Sequence, residues 1–159
     1  MQEWLEQYEQ VLHRYCFLVL DGPSRLGKTQ YARDFAGPDR TLEISMSGGG
    51  ALDMGAYCAL KHDVLVIDEA DPATIIDNKK LFQAGEADVA LQTSATNCHS
   101  LVVNVAGKKF IVCSNVWWYR LREMPWEASQ WIRDNSYYIA VEHPMWESSH
   151  PGDLPVTQP

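Results

Sequence analysis

The sequence is short of positive charge: 13 Lys and Arg stand against 21 Asp and Glu, a formal net charge of -8. Nucleic-acid coating works by Lys/Arg neutralisation of phosphates with counterion release, so this balance excludes a general coating protein and confines any DNA contact to a local patch. Long apolar runs are missing too. The longest, 16–20 and 64–67, are strand-length, against roughly 20 residues needed to span a bilayer, and no membrane partner is expected. The opening MQEWLEQYEQ carries acids where a secretory leader has a basic stretch and an apolar core. Cys16, Cys58, Cys98 and Cys113 form no CxxC pair and no Cys/His spacing suited to zinc. Free thiols in a reducing, intracellular compartment are expected. No internal repeat is present, and 159 residues suit one domain burying roughly two-thirds of its unfolded surface.

What is present is a succession of helical and strand-like patterns. Trp4, Leu5, Tyr8, Val11, Leu12 and Tyr15 recur at helical spacing with Glu3, Glu6, Glu9 and Arg14 off the stripe, which predicts an amphipathic helix over 1–15. Residues 16–20 are an unbroken apolar run ending in a glycine loop, the pattern of a strand buried on both faces of a parallel sheet. A helix is expected over 28–36, stopped by Gly37 and Pro38. Further strands are expected at 41–45, 64–67, 110–113 and 137–141. A flexible turn at 47–50 should lead into a short helical stretch ending near Leu60, and helices are expected at 78–85 and 126–134. Val89 and Leu91, then Leu101, Val103 and Val105, alternate with period two around the polar turn 93–100, which predicts a hairpin. Pro144, Pro151, Pro155 and Pro159 predict a poorly ordered tail, placed at 147–159. The fold class expected is α/β: a mainly parallel sheet with helices on both faces and one inserted antiparallel hairpin, within a domain over 16–146.

Three strand ends carry chemistry. Gly22-Pro23-Ser24-Arg25-Leu26-Gly27-Lys28-Thr29 matches GxxxxGK[ST] between an expected strand and an expected helix, the context of a P-loop NTPase. Glycines let backbone N–H groups turn inward around phosphates and the helix start adds its positive dipole end. Lys28 reaches the outer phosphates of ATP, and the Thr29 hydroxyl joins the shell of Mg²⁺. The bland alternative is a glycine-containing turn that binds nothing. Val64-Leu65-Val66-Ile67-Asp68-Glu69 is an apolar strand closing on two acids. Asp68 would hold Mg²⁺ with Thr29, and Glu69 would orient or activate water; otherwise both simply face solvent. Ile111-Val112-Cys113-Ser114-Asn115 ends in an amide suited to the γ-phosphate or the attacking water, although Ser-Asn also begins ordinary turns. Parallel strands would bring Lys28, Glu69 and Asn115 to one edge.

In this order the motifs resemble those of superfamily 3 helicases, most closely the ATPase domain of replication initiator (Rep) proteins of small circular single-stranded DNA viruses and their relatives. GPSRLGKT is similar to motif A, VLVIDEA to motif B, the strand–turn–strand over 89–105 to motif B′ and IVCSN to motif C; Lys61-His62-Asp63 resembles the approach to motif B. The resemblance covers 15–146. It implies an AAA+-like sheet, a homo-oligomeric ring that is usually hexameric, a hairpin gripping single-stranded DNA in the pore, and ATP held between neighbours with an arginine finger in trans. It also implies a role in DNA replication, in a host nucleus if the source is viral. Arg120 and Arg122 follow motif C and are the finger candidates; surface pairing with Glu123 or Glu127 is the alternative. The hairpin turn lacks the lysine many relatives carry, leaving Asn97 and His99 to touch DNA. Lys108 and Lys109, like Lys79 and Lys80, would line a channel or be solvated. Trp117, Trp118 and Tyr119 would stack on bases or pack in the ordinary way. His62 is expected to be structural. The His-hydrophobic-His pair of the family's nicking endonuclease is not in this sequence, so that domain is expected to have been excised or to lie elsewhere.

The leading expectation is an ATP-dependent DNA helicase or ATPase module of a Rep-type replication protein. A non-motor P-loop ATPase or nucleotide kinase is the alternative, although an Arg-rich lid of the kind kinases use is not evident. A module that holds nucleotide without turnover is the third.

Overall fold

The computed structural model describes residues 1–47, 51–92 and 100–147. Its centre is a five-stranded sheet made by β1 (Phe17–Asp21), β2 (Thr41–Ser45), β3 (Val64–Asp68), β6 (Lys109–Ser114) and β7 (Ser136–Ala140). The order is β2-β3-β6-β1-β7, and every neighbouring pair is parallel. β1, β3 and β6 are central, so both faces of each are covered and their sequences are unbroken apolar runs. Alternation along the strands divides the core in two. Leu18, Leu20, Val64, Val66, Ile111 and Cys113 face one side with Trp4, Ala32 and Met145. Phe17, Val19, Leu65, Ile67, Phe110 and Val112 face the other with Ile75, Phe82, Trp117 and Ile132.

The first face is covered by α1 (Gln2–Glu6) and α2 (Lys28–Asp34), the second by α3 (Pro72–Asp77), α4 (Lys79–Phe82), α5 (Trp117–Glu123) and α6 (Trp126–Asp134). The expected α/β layering with helices on both faces therefore holds. A separate antiparallel pair, β4 (Val89–Gln92) and β5 (Ser100–Val103), is inserted between β3 and β6, with Val89 opposite Val103 and Leu91 opposite Leu101. The turn joining these strands, with Asn97 and His99, lies outside the described residues, as does the tail beyond 147.

Three expectations need correction. The N-terminal helix does not run to Tyr15: it ends at Glu6, followed by a 3-10 turn, Gln7–Glu9. The Gln7 side chain bridges to Cys16, accepting from its N–H at 2.7 Å and donating to its carbonyl at 2.9 Å, while the Trp4 indole N–H donates to the same carbonyl at 2.8 Å. These bonds fold the chain back, and Val11, counted in the helical stripe, is 91% exposed. Residues 51–60 form turns instead of a helix. Gly55 N–H donates to the Asp53 carboxylate at 2.8 Å, Leu52 and Met54 enter the core, and Leu60 stays in solvent. The expected helix at 78–85 is short, Lys79–Phe82, and is preceded by α3, which the hydrophobic pattern did not reveal.

Candidate functional site

Register decides what meets at the carboxyl edge of the sheet. Asp21 pairs with Ser114, and Cys113 pairs with Asp68, so the ends of β1, β6 and β3 stand in one row. Backbone bonds hold the chain as it leaves β1, β2, β3 and β7: Gly22 N–H to Ser114 O at 3.2 Å, Met46 N–H to Asp68 O at 2.8 Å, Glu69 N–H to Cys113 O at 2.9 Å and Val141 N–H to Asp21 O at 2.7 Å. Loop 22–27 is wedged in. A Cβ on Gly22 would run into the Val141 carbonyl, which explains why glycine stands there. Arg25 and Gly27 have φ of +66° and +79°, left-handed residues of the kind that curl a loop and turn backbone N–H groups to its concave side.

The side chains converge across this edge. Lys28 is buried, and its ammonium donates to Gly22 O at 2.8 Å, Pro23 O at 2.7 Å and Asn115 Oδ1 at 2.9 Å. Burial lowers its proton affinity, opposed by Cys113, Asp21 and Asp68. The Thr29 hydroxyl donates to Asp68 Oδ1 at 2.8 Å. Ser24, Arg25, Gly27, Lys28, Thr29, Asp68, Glu69 and Asn115 line a cavity of about 280 Å³ whose floor is Cys113. Burial, then the Asp68 charge, pushes the Cys113 thiol up to about 12, so it stays neutral. Leu26 points away and packs with the first face of the core, its carbonyl accepting from Met145 N–H at 2.9 Å.

Glu69 has φ of +56°, unusual for a side-chain-bearing residue and costing of order 1–3 kcal/mol. It and Asn115 also line a second depression of about 270 Å³ with Asp71, Ser114, Val116 and Arg120. Arg120 is half-exposed and lies 3.7 Å from Asp71 and 3.6 Å from Glu123, so the surface pairing with Glu123 is present. Arg122 is exposed on α5. A larger depression of about 490 Å³ opens between Leu52, Thr74, Asp77 and Leu91, but no cation is among its described lining residues. Chemistry, more than volume, singles out the smaller one.

Lys108 and Lys109 are not part of this group. Lys109 begins β6 and Lys108 directly precedes it, at the opposite edge of the sheet. Lys108 donates to Ala59 O at 2.7 Å and lies 3.6 Å from Asp63, while the Lys109 ammonium sits 4.5 Å from the centre of the Tyr8 ring. Lys79 is likewise seated over Trp131, at 5.0 Å. Trp117 is core and Trp118 packs on Tyr138, whereas Tyr119 is exposed. His62 is buried, its Nδ1 accepting from Cys58 N–H at 3.1 Å.

One site residue escaped the sequence reading. Asp21, buried at the end of β1, accepts from Trp117 N–H and Trp118 N–H at 3.1 Å each and from the Tyr138 hydroxyl at 3.0 Å. It supplies the cap that α5 lacks locally and ties the strand before the loop to the helix after Asn115. An acid closing an apolar run was the only signal.

A divalent cation fits the chemistry of Thr29 and Asp68, two hard oxygen donors already 2.8 Å apart. Among the described residues no three His, Cys, Asp or Glu side chains gather. Any ion here would therefore rely on this pair and on a ligand's own oxygens, which is how Mg²⁺ is usually held beside phosphates. Among the described residues no helix is long and apolar enough to cross a membrane. Comparison with protein-family models and with curated proteins finds no match.

Proposed function

We propose that the chain is an ATP hydrolase of the P-loop class, an AAA+-like domain resembling superfamily 3 helicases of Rep-type replication proteins, acting as a homo-oligomeric ring on single-stranded DNA. One observation carries the reading: buried Lys28, the Thr29–Asp68 pair, Glu69 and Asn115 reach one cavity from three adjacent strand ends. β6 stands between the loop strand β1 and the acid strand β3, so Asn115 lies between Lys28 and the acids, where motif C is expected. Hydrolysis assigns each group a task. Lys28 exchanges its carbonyl acceptors for outer phosphate oxygens, a charge-assisted replacement. Thr29 and Asp68 would hold Mg²⁺, which would supply charge neutralisation. Glu69 takes the proton of the water attacking the γ-phosphorus as the bond to the bridging oxygen breaks and ADP leaves. Asn115 steadies the γ-phosphate or that water.

Two variants test this by separating binding from chemistry. Lys28→Ala is expected to lose ATP binding or turnover. Glu69→Gln keeps ATP binding and hydrolyses at least about a hundredfold more slowly, the scale for losing a general base. Turnover at the parent rate in Glu69→Gln sinks the assignment. Single-stranded DNA should stimulate release of free phosphate; transfer to a nucleoside monophosphate instead would identify a nucleotide kinase.

A further inference from the structure

A tryptophan lies against the loop 22–27. Met145–Glu147 form a single 3-10 turn beyond β7. Met145 is buried in the core with Leu18, Leu20 and Ala32, and its N–H donates to Leu26 O at 2.9 Å, so the turn is fixed to the loop from two directions. Trp146 follows and sits against Gly27, near enough that a Cβ there would meet ring carbons at 3.0 and 3.2 Å. Although Met145 beside it is anchored, Trp146 is 67% exposed.

Sheet order gives this position meaning. Asp68, Glu69 and Asn115 belong to β3 and β6, on one side of β1, whereas β7 and its continuation to Trp146 lie on the other. A nucleotide whose terminal phosphate faces Glu69 and Asn115 runs along the loop away from them, and its base emerges toward the β7 side. An exposed, backbone-anchored aromatic ring there is suited to a flat π-face, because stacking needs no hydrogen-bond pattern and little reordering. Resting on the phosphate-site reading above, we infer that Trp146 forms the base subsite of the nucleotide site, stacking on the purine while loop 22–29 holds the phosphates.

The test separates base from phosphates by comparing MgATP with inorganic tripolyphosphate, titrated calorimetrically into the full chain, Trp146→Ala and Trp146→Phe. Stacking predicts that Trp146→Ala weakens ATP by about tenfold to a hundredfold and Trp146→Phe by much less, with tripolyphosphate affinity the same in all three. ATP affinity equal in the parent and Trp146→Ala overturns the inference and leaves the phosphate site standing. Parallel loss of ATP and tripolyphosphate in Trp146→Ala also overturns it, since the indole would then only brace the loop. If the parent binds neither ligand, the phosphate-site reading itself falls and takes the base subsite with it.

Discussion

Asp21 gathers donors from two elements on one carboxylate: two backbone N–H groups of α5 and the Tyr138 hydroxyl on β7. An amide offers one acceptor oxygen in place of two, so Asp21→Asn leaves a buried donor short of a partner. The expected loss of unfolding free energy is about 1–3 kcal/mol, read by urea denaturation, with Tyr138→Phe costing less, about 0.5–1.5 kcal/mol. An Asp21→Asn chain as stable as the parent would show that the carboxylate holds nothing in place. Lys28, Thr29, Asp68, Glu69 and Asn115 were legible in the sequence because each ends or follows a local pattern. Asp21 was not, because its partners are 96, 97 and 117 positions away and only strand order brings them near.

Elements divide on the same principle. α6 coincides with its hydrophobic pattern over 126–134, and the central strands lie where the apolar runs put them. α3 has a readable start, Asp71 capping Ala73 N–H at 2.9 Å with Pro72 at the first position, but Asp-Pro also begins ordinary turns. α5 was illegible because its cap comes from β1. The turn before β3 carries a pH signature. Burial, then the charges of Lys61 and Lys108, holds His62 below the ordinary imidazole value. The unfolded chain therefore takes up this proton first, at about pH 6.5. Stability from this residue is fully present above that pH and falls as pH drops toward the folded value. Unfolding measured between pH 7.5 and 5 should show a shallower decline in His62→Gln than in the parent. Equal slopes would mean that the imidazole is as easily protonated in the fold as outside it.

For the whole molecule the proposal of a ring makes the site a shared one. Among the described residues Arg120 pairs with half-exposed Asp71 and Glu123, contacts of the kind worth about 0–1 kcal/mol, so leaving them for a neighbouring subunit's phosphate would cost little. Mixing Lys28→Ala subunits with Arg120→Ala, Arg122→Ala subunits should then restore part of the ATPase activity, because one lends its arginine to the other's intact loop. Mixed rings without any recovery would place the stabilising cation elsewhere.

The order β2-β3-β6-β1-β7 also has a consequence in time. Leu18 pairs with Ile111 and Phe17 with Ser136, so β1 finds its neighbours only after about 90 further residues have been made. Until β6 has been made the Phe17–Asp21 strand has no edge to join, and pairing across such distances is slow and exposes apolar surface to aggregation. Residues 22–29 leave β1 directly, so the loop gains a fixed base only when β6 and β7 arrive. A nascent chain stalled before Lys109 would hold the glycine-rich sequence without its geometry, and the loop would take its shape only once β6 and β7 had both been made.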